Sequence, residues 1–463
     1  MESSLHEPSK GAQSGAEHLC VFVHGLWGNG THLGYLSKSL QEKYGEDQLV
    51  LLVCKRNASS FTYDGIEIGG ERVAREIEET LEELKRDGYH INKISCVGYS
   101  LGGLIARYAI GLLDQKKYFE HIQPVNFTTF ASPHLGVRTP LIGFPNTLWN
   151  ILGARTLSAS GRQLFTVDSF RDTGRPLLSV LADPDSIFIH ALAKFENRSL
   201  YTNIVNDRSA VYYTTSISKI DPYVDISKLK LNYLPGYKDV MVDPDTPYTI
   251  VRDEKLPTFR ERVYDRGHTV LRRTPIYLGL SILLPIAVVV FLINSGIQTI
   301  MSQRRITLHE QESEVTGFSR YKVSWMVQEA RAGLENVFES SNSAQGQQYL
   351  PAGSEELAES ENEVQEDVLV DVSETVKDEK SDRKPLRRRS TAGSRVSEFP
   401  TLALTQAQFA MIRALDAVGF RKYPVHIHNS SHSHAAIIVR TGRKAFQEGQ
   451  EVVRHWTTEN FTI

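Results

Sequence analysis

The sequence has little cysteine: three residues in 463, Cys20, Cys54 and Cys96, each in or beside an apolar run. An odd count without paired spacing does not make a disulfide framework, and none of the three has a metal-ligand spacing. They read as small buried thiols in a reducing compartment. The first residues lack an apolar core: MESSLHEPSKGAQSGAEH is polar, so no secretory leader is expected. The Asn-x-Ser/Thr triplets at Asn29, Asn57 and Asn126 then carry no meaning. Excess charge is also missing. A net charge of −3 gives no reason to expect nucleic acid as a partner. No internal repeat is found, and no metal or organic cofactor is called for.

What is present is ample apolar content, 41% of the residues, enough for a substantial core. Residues 1–16 read as a disordered leader. From Glu17 to about Arg260, strand-like runs alternate with amphipathic stretches. Strands are expected at His18 to His24, Gln48 to Cys54, Lys93 to Gly98, Val125 to Ala131 and Leu200 to Val205. Helices are expected at Thr31 to Tyr44, Glu71 to Arg86 and Leu101 to Leu113, from the spacing of their apolar residues. This alternation predicts an α/β fold with a mostly parallel central sheet covered on both faces. Residues 17–270 are read as the core of that domain. Sites in such folds lie in loops at the carboxyl ends of the strands.

The composition then changes. Thr274 to Gln303 holds thirty residues without a charge, with Arg272 and Arg273 before it and Arg304 and Arg305 after it. Residues 271–305 are read as a hydrophobic, membrane-associated segment and 306–339 as a connector. Residues 340–398 are acidic, Ser-rich and poor in apolar groups, a disordered linker ending near Arg387-Arg388-Arg389-Ser390. Order is expected again over 399–463. A helix is expected over Thr405 to Val418, a strand over Arg421 to His428, and a last helix over Arg440 to Trp456.

One motif carries chemistry. Gly98-Tyr99-Ser100-Leu101-Gly102 is a G-x-S-x-G between an expected strand and an expected helix. Such a turn strains the serine backbone and lifts the hydroxyl clear of the sheet. Gly98 and Gly102 must be small, or they would collide with strand and helix. The helix N-terminus behind Ser100 favours developing negative charge. The first strand ends in His24-Gly25-Leu26-Trp27-Gly28, whose glycines let backbone amides face a cavity. Leu26 and Leu101 are the expected oxyanion donors, with His24 tying the loop down.

The acid should follow a later strand. Asp207 directly follows the strand-like LYTNIV and is chosen over Asp221, Asp225 and Asp239. The base should follow the last strand, where His426, His428, His432 and His434 cluster. His434 is favoured because the apolar run AAIIV follows it. His432 comes second, His268 is weaker, and His134 is expected to shape the pocket rim. Ser100 would then attack an ester carbonyl, His434 would take its proton, and Asp207 would hold the imidazole.

These motifs together resemble a family of eukaryotic intracellular serine esterases and lipases, chiefly fungal. The resemblance rests on VFVHGLWGN, YDGIEIGGERVAREI, VGYSLGGLIARYAIG, FASPHLG, the NDR after a strand and SHAAIIVR. It covers roughly residues 17 to 260 and 400 to 463. It implies an α/β-hydrolase fold, the triad Ser100, Asp207 and His434, and activity as a monoacylglycerol lipase or phospholipase, in some members on lipid droplets. Asp207 and His434 rest more on this match than on pattern. A thioesterase or protein deacylase with the same triad, or a membrane-tethered scaffold, are the other readings.

If Ser100 and His434 share a site, the apolar segment between them must begin and end on one side of a membrane. Thirty residues are too few for two full crossings, which need ~40. Pro285 would break a continuous helix, and basic flanks fit two cytosolic ends. The expectation is therefore a monotopic hairpin or shallow insertion in one leaflet, of a lipid droplet or of the endoplasmic reticulum. A buried helix or a lid over the acyl pocket is the alternative.

Overall fold

The computed structural model describes residues 15–138, 158–251, 296–309, 348–350 and 399–463. The expected leader up to residue 14, the apolar run up to residue 295, most of the connector and linker, and His268 lie outside the described residues.

Six strands form one sheet, every neighbouring pair parallel. They are β1 (His18–Val23), β2 (Leu49–Val53), β3 (Lys93–Tyr99), β4 (Gln123–Phe130), β5 (Asn197–Asn203) and β6 (Arg421–Val425). Their order is β2-β1-β3-β4-β5-β6. All of β1 is buried, and its side chains divide by alternation. Leu19, Val21 and Val23 enter one apolar cluster, while Cys20 and Phe22 enter another on the opposite face. An apolar run without polar alternation is what a strand covered on both sides requires.

The helices provide that cover. They include α1 (Gly34–Tyr44), α2 (Ile66–Arg86), α3 (Leu101–Gln115), α4 (Ser158–Leu164), α5 (residues 296–309), α6 (Gln406–Val418), α7 (Ser433–Ala436) and α8 (Glu448–His455). Val73, Ala74 and Ile77 of α2 pack with α3 on one face of the sheet. Leu36 and Leu40 of α1 pack with Val452 and Val453 of α8 on the other. The α3 helix is apolar nearly all round, as a helix wedged between sheet and α2 must be.

Several boundaries differ from expectation, three of them instructively. The α2 helix begins at Ile66 rather than Glu71. Its first turns hold Gly69 and Gly70, ahead of the expected start, and a Cβ on Gly70 would lie 2.5 Å from Tyr108 of α3. The glycines are there for close helix packing. The last helix begins at Glu448, not Arg440. A Cβ on its Gly449 would meet the Ala436 carbonyl, so this helix seats directly on α7. The last strand stops at Val425, and the His426 amide donates to Val240 O across the edge.

All three cysteines are free and buried, and burial pushes the Cys96 thiol up to about 12. Asn57 and Asn126 are buried too, bonded to Gly69 O and to Ser95 respectively. Within the expected linker, residues 348–350 pair instead with the chain at Leu402 through an isolated bridge from Tyr349. Among the described residues, no helix is long and apolar enough to cross a membrane.

Candidate active site

Ser100 sits between β3 and α3 at φ 54°, ψ −127°, in the left-handed region that a side chain enters only under constraint. The constraint is visible in its neighbours. A Cβ on Gly98 would lie 2.3 Å from Gly103 Cα, and one on Gly102 would lie 2.1 Å from Val23 O. Only glycine permits strand, turn and helix to pass so close. The Ser100 amide donates to Phe130 O at 2.9 Å, holding the turn to the end of β4.

Across from it, the β1 loop folds back on itself. Gly28 N donates to Gly25 O at 3.0 Å, and a Cβ on Gly25 would come within 2.7 Å of Ser100 Cβ. The backbone of this loop therefore lies against the serine. Leu26 and Leu101 both line the pocket around Ser100. His24 is buried and donates from Nδ1 to Gly25 O at 3.1 Å. Burial lowers its pKa, so it stays neutral in this role.

The other two groups arrive from later strands. The Asp207 carboxylate receives the amides of Ser209 and Ala210 on Oδ1, at 3.1 and 2.9 Å. Its Oδ2 receives Asn203 Nδ2 at 2.9 Å. Asp207 thus closes an Asx-type turn after β5 and still faces a partner. That partner is His434, on α7 after β6. Its Nδ1 lies 2.9 Å from Asp207 Oδ2 and its Nε2 lies 3.0 Å from Ser100 Oγ. With a carboxylate at Nδ1, that nitrogen carries the proton and Nε2 accepts from the serine hydroxyl. Tyr99 donates to His434 O at 3.0 Å and packs its ring 5.1 Å from the imidazole. Ser433 Oγ donates to Val205 O, pinning α7 to the β5 loop.

The remaining histidines have other partners. His426 bonds Tyr233 Oη and stacks on its ring, packs at a tilt against His428, and is pushed down to about 4 by burial and by that histidine. His428 bonds Glu448. His432 precedes α7, outside the hydrogen-bonded set of Ser100 and Asp207. His134, expected at the rim, is fully buried and bonded to Thr129 Oγ1. The preceding Pro133 lines the pocket in its place. Val137, farther along the same loop, lines it as well.

The pocket beside Ser100 is mainly apolar: Leu26, Trp27, Tyr99, Leu101, Pro133, Val137, Leu164 and Ala210, with Ser209 and Arg440 as polar members besides Ser100 and His434. This wall sets apolar surface beside the Ser100 hydroxyl. The supporting residues Asn203, Tyr99, Trp27 and Arg440 were not singled out in the sequence. Nothing in their local pattern distinguishes them from core or surface residues. Among the described residues, no group of three His, Cys, Asp or Glu side chains could hold a metal ion.

Comparison with known proteins bears on the same residues. Residues 13–220 match the family model described as Putative serine esterase (DUF676), and the matched range contains Ser100 and Asp207 but not His434. "Putative lipase ROG1" of Saccharomyces cerevisiae is 34% identical over 226 residues, 47% of this chain and 31% of that protein. "Putative lipase C4A8.10" of Schizosaccharomyces pombe is 29% identical over 219 residues, 45% of this chain and 27% of that protein. The chain thus spans about a third of the length of the curated relatives it matches. Among solved structures, a lipase-esterase related protein from Clostridium acetobutylicum aligns over 42% of this chain and 76% of its own, at 18% identity and TM-score 0.22. Phospholipase PlaB from Legionella pneumophila aligns over 44% of this chain and 43% of its own, at 17% identity and TM-score 0.27. Residues 13–220 of this α/β protein, which carry the Ser100 turn and the β1 loop, are thus similar to the putative serine esterase family.

Proposed function

We propose that the protein is a serine hydrolase that cleaves acyl ester bonds of glycerolipids, with Ser100 as nucleophile, His434 as general base and Asp207 as its orienting carboxylate. The observation that carries this reading is the continuous line of hydrogen bonds Ser100 Oγ–His434 Nε2–His434 Nδ1–Asp207 Oδ2, at 3.0 and 2.9 Å. In the first step, His434 Nε2 removes the hydroxyl proton as Ser100 Oγ adds to the ester carbonyl. The negative charge on oxygen is met by the Leu26 and Leu101 amides. His434 then passes its proton to the leaving alcohol. A water molecule, deprotonated by the same nitrogen, releases the fatty acid and restores Ser100. Asp207 keeps Nδ1 protonated throughout and offsets the charge of the imidazolium.

The apolar pocket wall supports an acyl substrate, and the family's lipase names support a lipid one. We read the uncharged run that begins at Thr274 as entering one leaflet from the cytosolic side, at a lipid droplet or the endoplasmic reticulum, with its last residues, 296–303, returned to the folded unit in α5. Support comes from the described residues on either side of 252–295, which pack on one folded unit. Val251 N donates to Lys228 O before the run, and Arg305 binds Asp64 after it.

The test is a substrate panel with purified full chain: monooleoylglycerol, phosphatidylcholine, lysophosphatidylcholine and oleoyl-CoA, each with Ser100→Ala alongside. Release of oleate from a glycerolipid, absent in Ser100→Ala, is expected. Turnover confined to oleoyl-CoA would make the protein a thioesterase instead.

A further inference from the structure

The α5 helix has two faces of opposite character, and they are turned the unusual way round. Its polar residues Gln298, Ser302, Arg305 and His309 are each less than a tenth exposed. Its apolar residues look outward: Ile297 is 50% exposed, Ile300 55%, Met301 36% and Leu308 42%. A helix docked for stability alone buries its apolar stripe instead. At about 100° per residue the outward residues share one stripe, roughly a third of a turn from the docked one. Arg304, also exposed, lies on that outward stripe.

The inward face is held by a buried ionic clamp. Arg305 Nε lies 3.0 Å from both Asp64 oxygens, and its Nη2 donates to Ser60 O at 3.0 Å. Ser302 Oγ donates to Asp64 Oδ1 at 2.8 Å, and Arg72 Nη2 to Asp64 Oδ2 at 2.8 Å. Both guanidinium groups lie over the Phe61 ring, at 5.0 and 5.3 Å. Buried charge of this kind specifies one orientation, because any other leaves ions unpaired.

The clamped loop is next to the pocket. Trp27 N donates to Thr62 Oγ1 at 3.1 Å, and Trp27 Nε1 to Tyr63 Oη at 2.8 Å. Trp27 forms part of the pocket wall beside Ser100. The clamp therefore fixes α5 one layer outside the mouth of the site. In sequence, Ile297, Ile300 and Met301 fall at the end of the run of thirty uncharged residues, which closes at Gln303, immediately before Arg304. A lipid surface supplies hydrocarbon for the isoleucines and a phosphate layer for Arg304.

We propose that α5 is the lipid-surface contact of this protein, clamped through Arg305 and Asp64 so that the mouth of the Ser100 pocket faces the lipid supplying its substrate. The proposal rests on the ester-hydrolase reading above and names the surface on which that site works.

The test compares the full chain with the Ile297→Ser/Ile300→Ser/Leu308→Ser variant, whose changes fall on exposed positions. Binding is read by cosedimentation with phosphatidylcholine/phosphatidylserine vesicles. Turnover is read on 4-methylumbelliferyl butyrate in solution and on 4-methylumbelliferyl oleate dissolved in the same vesicles. The ratio of vesicle to solution turnover is expected to fall at least ~10-fold, with weaker cosedimentation. An unchanged ratio with unchanged cosedimentation overturns the proposal. So does an unchanged ratio in a variant that loses a dimer seen in the wild type, which would give the stripe to a second copy. Cosedimentation needs no catalysis. A wild type inert toward both esters counts against the hydrolase reading, while vesicle binding still decides the role of α5.

Discussion

His434 Nε2 lies 3.0 Å from Ser100 Oγ although 334 residues separate them in the chain. The parallel sheet closes that gap. β3 ends at the serine, and β6 joins the sheet beyond β5, so that the loop after it returns across the same strand ends. Residues 399–463 are therefore needed for the site, whatever lies between.

This relationship separates the histidines. His434→Ala is expected to reduce kcat on a soluble ester by ~10³-fold or more, while His428→Ala and His432→Ala change it less than about threefold. Steady-state kinetics with melting curves distinguishes chemistry from folding. Equal losses in all three variants would contradict the assignment.

Asp207→Asn keeps an oxygen acceptor for the amides of Ser209 and Ala210 but removes the charge facing Nδ1. A fall in kcat of ~10⁴-fold with an almost unchanged KM is expected. Little loss would mean that another carboxylate orients the base.

Gly102→Ala is expected to damage the Ser100 turn. The added methyl would lie 2.1 Å from Val23 O and 2.6 Å from His24 O, both backbone atoms of β1 and its loop. A cost of at least ~1–3 kcal/mol and loss of activity are expected, read from the melting temperature and turnover. Gly34→Ala, with nothing within 4 Å of the new carbon, is the matched control.

Asp64→Ala removes the shared counterion of two buried guanidinium groups, Arg72 and Arg305. Breaking a buried pair from one side typically costs ~3–5 kcal/mol. Chemical denaturation of Asp64→Ala beside Arg305→Ala measures it. The first is expected to be the worse, because it strands two charges and the second leaves Asp64 paired with Arg72.

Acid should destabilise the fold through histidines that are buried neutral. Burial pushes both His18 and His455 down to about 4, and His134 well below its ordinary value. The unfolded chain takes up protons near pH 6.5, while the folded one refuses them until about pH 4. Stability is then full above pH 6.5 and declines as pH falls through that window, lowering the melting temperature by on the order of 10 °C. His455→Gln is expected to flatten that slope, and an unchanged slope would remove His455 as a cause.

Much of this was legible before the structure, for reasons that differ by residue. β1 shows as an apolar run from Leu19 to Val23 because both its faces are covered. Ser100 shows because the turn that exposes it admits only glycine at 98, 102 and 103. The start of α2 was not legible, since Gly69 and Gly70 mark a helix contact that needs Tyr108 beside them. The difference between His432 and His434 likewise depends on where α7 starts relative to Asp207. Arg305 looked like a charge flanking an apolar run, and only the fold brings Asp64 to it.

The most direct measurement of the central claim is the site of fluorophosphonate attachment. The wild-type chain is treated with the probe, digested, and its peptides are sequenced by mass spectrometry, with Ser100→Ala and His434→Ala in parallel. A single adduct on Ser100 is expected, absent in Ser100→Ala and strongly slowed in His434→Ala. A folded wild type that takes no label, or takes it on another serine, would contradict Ser100 as an activated nucleophile.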